Sequence, residues 1–232
     1  MKALLLAGGY GSRLKPFTDL IPKCMMPING RPLLDFWLEK LCSNESIDRV
    51  LVNTHYKNEL VSNYLKDCTW NSKIDIAFEP SLLGTAGTIL ENESYFGNKE
   101  FFVAHADNFS IFDLDSLIHA FHKKENHILM TMMAFNTDRP ENAGILELNN
   151  SQEVIKFHEK THDSNGTLAN GAVFIIDHSV IDPPQSSIST ISPQITESDG
   201  NYLLIIIISI IAVAIVSVLV ILKQKSKTPQ KN

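Results

Sequence analysis

The start of the chain carries three glycines and two cations at a spacing that suits phosphate chemistry. An apolar run leads into the glycines, which lie within residues 8–11, and Arg13 and Lys23 follow. Residues without side chains let the backbone approach a phosphate chain closely, and successive backbone N–H groups form a concavity that binds anions. The two cations would add positive charge where a triphosphate lies. The pattern therefore predicts a site for nucleotide phosphates.

Two better-known phosphate-binding motifs do not match this segment. The dinucleotide motif G-x-G-x-x-G requires a third glycine where Leu14 stands. The Walker motif G-x-x-x-x-G-K-[ST] is absent from the sequence. The remaining alternative is a turn that only joins a strand to a helix, and it leaves the positions of Arg13 and Lys23 to coincidence.

An acidic residue, Asp107, follows a second apolar run in the order Ala-His-Ala-Asp-Asn. In α/β proteins, ligands bind beyond the carboxyl ends of the strands. A carboxylate placed there can hold a hard divalent cation. The alternative is an aspartate that only occupies a junction between a strand and a turn, and both interpretations are open at this point.

Apolar runs alternate with helical patterns along the chain, which is typical of an α/β fold with a mostly parallel sheet. We expect a helix over residues 31–42, with Pro32 in its first turn. A second helix is expected over residues 59–66, with Leu60 among its inward-facing residues. Strands are expected over residues 2–6, 49–53, 74–78, 101–104, 128–135, 144–148, 154–158 and 171–176.

Residues 8–14 read Gly-Gly-Tyr-Gly-Ser-Arg-Leu, and Pro16, Thr18 and a Pro-Lys pair ending at Lys23 follow. This signature resembles that of the sugar-1-phosphate nucleotidyltransferases, closest in form to mannose-1-phosphate guanylyltransferase-like proteins. The resemblance implies a Rossmann-like nucleotidyltransferase fold and a Mg²⁺-dependent reaction. In that reaction a sugar 1-phosphate attacks the α-phosphate of an NTP and gives an NDP-sugar and pyrophosphate.

The resemblance also implies a role for each matching residue. Two cations, Arg13 and Lys23, would act in catalysis, and Asp107 would be the Mg²⁺ ligand. The nucleotide would be bound by Ala7, Gly8, Gly9, Gly11, Ser12, Leu83 and Gly84. The sugar phosphate would be bound by Gly144, Glu159, Lys160 and Asn170.

The transferred group is expected to be guanylyl, from GTP to mannose 1-phosphate or a related sugar phosphate. A thymidylyl- or uridylyltransferase of the same family is an open alternative. So is a catalytically weak module that only binds nucleotide or sugar phosphate, because the second metal-binding aspartate of the family has no convincing match. The later acids Glu197 and Asp199 do not reproduce its D-x-G-type context.

The composition is that of an ordinary globular protein, with 44% hydrophobic and 20% charged residues among 232. A net charge of −6 argues against a nucleic-acid surface. The partners that the resemblance implies are an NTP and a sugar 1-phosphate. Three widely spaced cysteines match neither a zinc site nor a disulfide framework. The oligomeric state is left open, a homo-oligomer included.

The composition changes sharply after residue 182. We expect a nucleotidyltransferase domain over residues 1–182, a linker over 183–201, a transmembrane helix over 202–222 and a basic tail over 223–232. Residues 202–222 contain no charged side chain, and at ~1.5 Å per residue they would span a hydrocarbon core about 30 Å thick. The sequence thus predicts a single-pass, membrane-anchored protein with its catalytic domain in the cytoplasm.

Overall fold

The computed structural model describes residues 1–159 and 166–181. Its strands are Lys2–Leu6 (β1), Pro27–Ile28 (β2), Arg31–Pro32 (β3), Arg49–Thr54 (β4), Ile74–Phe78 (β5), Phe101–His105 (β6), Met130–Asn136 (β7), Gly144–Leu148 (β8), Val154–Glu159 (β9) and Leu168–Ile176 (β10). Its α-helices are Phe17–Leu20 (α1), Leu33–Cys42 (α2), Asn58–Asp67 (α3), Gly84–Glu91 (α4), Glu93–Phe96 (α5) and Leu114–Lys123 (α6). The predictions for Lys160, the linker and residues 202–222 lie outside the described residues.

The described residues form two compact units. The first contains residues 1–83, 94–133 and 171–178. The described part of the second consists of residues 84–93, 134–159, 166–170 and 179–181. The single domain expected over residues 1–182 stays a prediction.

The first unit is built on a sheet with the order β5-β4-β1-β6-β10. The first four of these strands are parallel, and β10 runs antiparallel to β6. A parallel sheet is covered on both faces, so its strands read as continuous apolar runs. Accordingly, Ala3, Leu4 and Leu5 of β1 are all fully buried.

The strand order makes β1 the place where the chain reverses its direction of travel across the sheet. From β1 the chain moves to β4 and β5 on one side, and it then returns to place β6 on the other side. Such a switch point opens a crevice at the carboxyl ends of the two strands involved. The loops that follow β1 and β6, with the glycines and Asp107, therefore lie at the same edge.

The second unit contains the hairpin of β8 and β9, in which Gly144 is opposite Glu159. The beginning of β10 pairs with β8, with Ala169 opposite Ile145. The helix α4 also belongs to this unit. These pairings place three of the predicted sugar-phosphate residues on neighbouring strands of this unit.

The structure corrects two details of the predicted helices. The predicted helix over 31–42 begins at Leu33, because Arg31–Pro32 pairs with Pro27–Ile28 in a short hairpin. The hairpin is closed by the two-residue turn Asn29-Gly30. Both residues have positive φ (51° and 82°), as a tight hairpin turn requires. In α3, Leu60 is 46% exposed, whereas Val61 and Leu65 are buried.

The prediction of a membrane-anchored location is contradicted and is wrong. The longest helices over residues 1–159 and 166–181 have ten residues each. At ~1.5 Å per residue a ten-residue helix is about 15 Å long, half of what a bilayer core requires. No helix in this part of the chain is long and apolar enough to cross a membrane.

A charged network joins β4, β5 and α5 at one end of the first unit. Arg49 donates to both oxygens of Asp75 at 2.6 Å, and the Tyr95 hydroxyl donates to Asp75 Oδ2 at 2.9 Å. These hydrogen bonds, the one from Arg49 foremost, lower the pKa of Asp75 from its ordinary value of 3.8. Because the network is partly exposed, solvent screens its charges, and its contribution to the free energy of unfolding is modest.

Asp75→Asn is expected to lower the free energy of unfolding by about 1 kcal/mol at pH 7. Because the folded pKa lies below 3.8, this contribution is present above pH 3.8 and is lost as the pH falls through the folded pKa. Urea unfolding of parent and variant at several pH values measures the difference. Asp138→Asn, at an exposed carboxylate, is the control and should change little. A difference that does not shrink as the pH falls below 3.8 would contradict the ionic assignment.

Candidate active site

The glycine-rich loop follows β1 and takes a conformation that larger residues would obstruct. A Cβ atom on Gly8 would lie 3.1 Å from Asn53 Nδ2 and 3.2 Å from the Cβ of His55. Gly11 has φ of 61°, and a Cβ there would lie 2.9 Å from Thr18 Cγ2. Gly9 is exposed with open space around it. The loop therefore presents bare backbone at the switch point, as a phosphate site requires.

A buried polar network connects this loop to residues 79–83. The backbone N–H of Ala7 donates to Asn53 Oδ1 at 2.6 Å, and Asn53 Nδ2 donates to Glu79 Oε1 at 2.9 Å. Glu79 Oε2 accepts from the backbone N–H of Leu83 at 3.2 Å. Both carboxylate oxygens of Glu79 therefore accept hydrogen bonds. A glutamine at this position would replace one of these oxygens by an NH₂ group, which would then face another donor, either Asn53 Nδ2 or the Leu83 N–H. The two segments predicted to bind the nucleotide are thus held by one carboxylate and one amide.

Lys23 and Asp107 meet at this edge of the sheet. Lys23 Nζ lies 2.9 Å from Asp107 Oδ2, and both side chains are partly exposed. Lys23 stands between two buried residues, Pro22 and Cys24, which anchor the backbone on either side of it. The structure thus brings together two of the three charged residues predicted for catalysis and metal binding.

Arg13 is exposed on the short 3-10 turn Ser12–Leu14. Among the residues that the structure describes, no ion pair or hydrogen bond joins its guanidinium to Lys23 or Asp107. Ser12, also predicted to contact the nucleotide, is exposed on the same turn. Both side chains are therefore accessible to a ligand at the loop.

The loop after β6 is held in place by its neighbours. The backbone N–H of Ala106 donates to the Leu6 carbonyl at 3.0 Å, and the indole N–H of Trp37 donates to the Asn108 carbonyl at 2.7 Å. Asp107 is positioned between these two bonds. Burial lowers the pKa of His105, with Lys23 acting in the same direction and Asp107 opposing it.

Cys24 is the cysteine nearest to this pair. Burial and then the charge of Asp107 raise the pKa of its thiol to about 12. A thiol with such a pKa stays protonated at neutral pH and is a poor nucleophile. Cys24 therefore acts as an apolar anchor for Lys23.

The donor set at this edge fits Mg²⁺ through one carboxylate. In residues 1–159 and 166–181, no group of three His, Cys, Asp or Glu side chains could hold a metal ion by itself. Magnesium is usually bound through one or two carboxylates and completes its coordination with substrate phosphates and water. Asp107 beside the glycine-rich loop meets that requirement. The later acids Glu197 and Asp199, which do not match the family's second metal-binding aspartate, lie outside the described residues.

Three of the four predicted sugar-phosphate residues, Gly144, Glu159 and Asn170, lie in the described part of the second unit. A Cβ on Gly144 would lie 2.4 Å from Phe157 Cζ, so the aromatic ring packs directly on the glycine backbone. Glu159 is exposed and lies opposite Gly144 in the hairpin. Asn170 is half-buried on β10. Gly84, predicted to contact the base, has φ of 75° and is the first residue of α4.

Sequence reasoning missed the residues that hold the loops. Asn53 and His55 lie at the end of β4 and just after it, and they contact the segment that begins at Glu79. A polar Asn-Thr-His-Tyr run directly after an apolar strand was the available signal. It did not indicate a partner, because the partners lie 24 to 46 residues away in the chain.

Three features meet at one edge of the sheet: a bare glycine loop, a lysine–aspartate pair and the reversal of the strand order. This combination is typical of α/β proteins that bind phosphorylated ligands at a switch point. The profile of the family described as Nucleotidyl transferase matches residues 2–202. The chain therefore belongs to the nucleotidyl transferase family. This confirms the predicted family and the predicted class of enzyme.

Individual relatives agree with this placement. The chain is 34% identical over 177 residues to the D-glycero-alpha-D-manno-heptose 1-phosphate guanylyltransferase of Campylobacter jejuni, covering 76% of each protein. It is 30% identical over 218 residues to mannose-1-phosphate guanylyltransferase 1 of Arabidopsis thaliana. That match covers 89% of this chain and 59% of the plant protein, so the chain spans little more than half of the plant relative.

Solved structures show the same fold. HddC from Yersinia pseudotuberculosis complexed with GMP-PN has a TM-score of 0.64 and 26% identity, covering 79% of this chain and 80% of that chain. A structure from Bacillus anthracis, described as a glucose-1-phosphate thymidylyltransferase in complex with a sucrose, has a TM-score of 0.68 at 22% identity, covering 83% and 76%. These likenesses confirm the α/β nucleotidyltransferase fold with its mostly parallel sheet.

Proposed function

We propose that the chain transfers a guanylyl group from GTP to mannose 1-phosphate or a related sugar 1-phosphate and releases pyrophosphate. The observation that carries this proposal is the Lys23–Asp107 pair beside the bare glycine loop. The relatives from Campylobacter jejuni and Arabidopsis thaliana are both named guanylyltransferases, which supports guanine as the base. Their names also support a manno-configured sugar phosphate as the acceptor.

The reaction requires no nucleophile from the protein. An oxygen of the sugar phosphate, already ionised at neutral pH, forms a bond to the α-phosphorus of GTP. The bond from that phosphorus to the bridging oxygen on the β side breaks, and pyrophosphate leaves with that electron pair. Catalysis then consists of alignment and charge neutralisation. Lys23 and Arg13 supply positive charge at the triphosphate, and the backbone of Gly8, Gly9 and Gly11 binds its oxygens.

Asp107 would hold Mg²⁺, which when bound offsets negative charge on the phosphates. Backbone groups of Leu83 and Gly84 would contact the base. Glu159 would accept hydrogen bonds from sugar hydroxyls, with Gly144 and Asn170 contributing further contacts and Lys160 holding the sugar phosphate. These assignments follow the matching residues of the family.

The test is pyrophosphate release with GTP, dTTP and UTP, each combined with mannose 1-phosphate, D-glycero-α-D-manno-heptose 1-phosphate and glucose 1-phosphate. We expect the highest kcat/KM with GTP and one of the two manno-configured acceptors. A preference for dTTP or UTP would contradict the guanine assignment. Binding of GTP without pyrophosphate release from any pair would favour a module that only binds its ligands.

A further inference from the structure

His55 bridges the glycine-rich loop and the segment that begins at Glu79. Its Nδ1 lies 2.8 Å from the Glu79 carbonyl oxygen, and its Nε2 lies 2.9 Å from the Tyr10 hydroxyl. A carbonyl can only accept, so Nδ1 carries the proton in the neutral ring. Nε2 is then an acceptor, and the Tyr10 hydroxyl donates to it.

Tyr10 is the residue between Gly9 and Gly11, so its position bears directly on the loop. The side chain is 52% exposed, and its ring meets the His55 ring edge-on with centroids 5.3 Å apart. The bond to His55 therefore holds the hydroxyl of a half-exposed side chain, and ring contacts hold its aromatic ring.

The chain just after β4 also contacts this loop and the helix α1 that follows it. The backbone N–H of Tyr56 donates to the Gly8 carbonyl at 3.4 Å, and the Tyr56 hydroxyl donates to the Thr18 carbonyl at 2.8 Å. The Tyr56 ring also contacts Tyr10 at 5.5 Å. Because glycine has more conformational freedom than any other residue, a glycine-rich loop gains most from such restraints. A loop held in its binding conformation loses less entropy when the ligand binds.

We propose that His55 is a positioning residue for nucleotide binding. Through Tyr10 it holds the glycine-rich loop in the conformation that receives the phosphates of the NTP. The bond from Nδ1 to the Glu79 carbonyl orients the ring so that Nε2 faces the Tyr10 hydroxyl. This inference rests on the proposed function, because it assumes that the loop binds a triphosphate.

Three variants separate the two hydrogen bonds of His55. In His55→Asn the amide nitrogen can replace Nδ1 but nothing reaches Tyr10, whereas in His55→Gln the amide oxygen can replace Nε2. Tyr10→Phe removes the same bond from the other side. We expect His55→Asn and Tyr10→Phe to raise the KM for GTP roughly three- to tenfold, as loss of one hydrogen bond implies. The kcat should change less than about twofold, and His55→Gln should restore a KM near that of the parent.

Loop opening is measured without substrate by limited trypsin digestion. Cleavage after Arg13, followed by mass spectrometry of the released fragment 1–13, should be faster in His55→Asn and Tyr10→Phe than in the parent or His55→Gln. The double variant of His55→Asn and Tyr10→Phe should have a cleavage rate and a KM for GTP no higher than those of either single variant, because both substitutions remove the same hydrogen bond. His119→Asn, at an exposed histidine of α6, is the control and should change neither KM nor cleavage.

The positioning role is overturned if His55→Asn and Tyr10→Phe leave both the cleavage rate and the KM unchanged. It is also overturned if His55→Gln is as impaired as His55→Asn, because the Tyr10 bond would then not be the one that matters. Absence of pyrophosphate release by the parent would refute the proposed function alone. In that case the cleavage rates and the dissociation constant for GTP would still decide the role of His55.

Discussion

Lys23→Ala is expected to lower kcat roughly 10²–10³-fold, or ~2.7–4 kcal/mol of transition-state stabilisation. The Lys23 ammonium lies 2.9 Å from Asp107 at the switch point. In the proposed reaction, negative charge would develop there on the departing pyrophosphate. Its pair with Asp107 is partly exposed, so the free energy of unfolding should fall by less than about 1 kcal/mol. Steady-state pyrophosphate release and thermal melting measure the two effects separately.

Lys15→Ala is the matched control for this variant. Lys15 lies in the same loop, but it is exposed and pairs with Asp19 four residues on. We expect its removal to leave kcat unchanged. Arg13→Ala should act in the same direction as Lys23→Ala, because Arg13 is exposed on the loop and available to phosphate. Equal turnover by Lys23→Ala and parent would remove Lys23 from the mechanism.

Asp107→Asn is expected to abolish Mg²⁺-dependent turnover while the protein stays folded. The amide is nearly isosteric with the carboxylate, but it lacks the charge that holds a hard cation. The bonds that fix the loop around it come from Trp37 and from the Ala106 backbone, and they do not involve the carboxylate. Pyrophosphate release as a function of Mg²⁺ concentration, together with thermal melting, measures the effect.

Asp113→Asn is the control for this second variant. Asp113 caps the start of α6 and is exposed, and asparagine caps helices about as well. It should leave the Mg²⁺ dependence unchanged. If the parent releases pyrophosphate at full rate in EDTA, the metal role of Asp107 is wrong whatever the variant does.

The sequence by itself predicted the features that depend on local pattern. Strands β1, β5 and β8 have the bounds expected from their apolar runs. In β1 the reason is burial on both faces of the sheet, which leaves a direct trace in composition. The glycine-rich loop was recognisable because its residue types are dictated by its own backbone, as the positive φ of Gly11 shows. The helix α2 begins two residues later than predicted, and the Asn29-Gly30 turn before it was a local indication of the hairpin that delays it.

Only the tertiary structure decided which of these pieces meet. Lys23 and Asp107 are 84 residues apart, and Ala7 and Asn53 are 46 apart. Whether such residues touch depends on the order in which β4, β1 and β6 lie in the sheet, and no single segment records that order. The roles of Asn53, His55 and Glu79 were invisible for the same reason: each holds a loop that another strand brings to it.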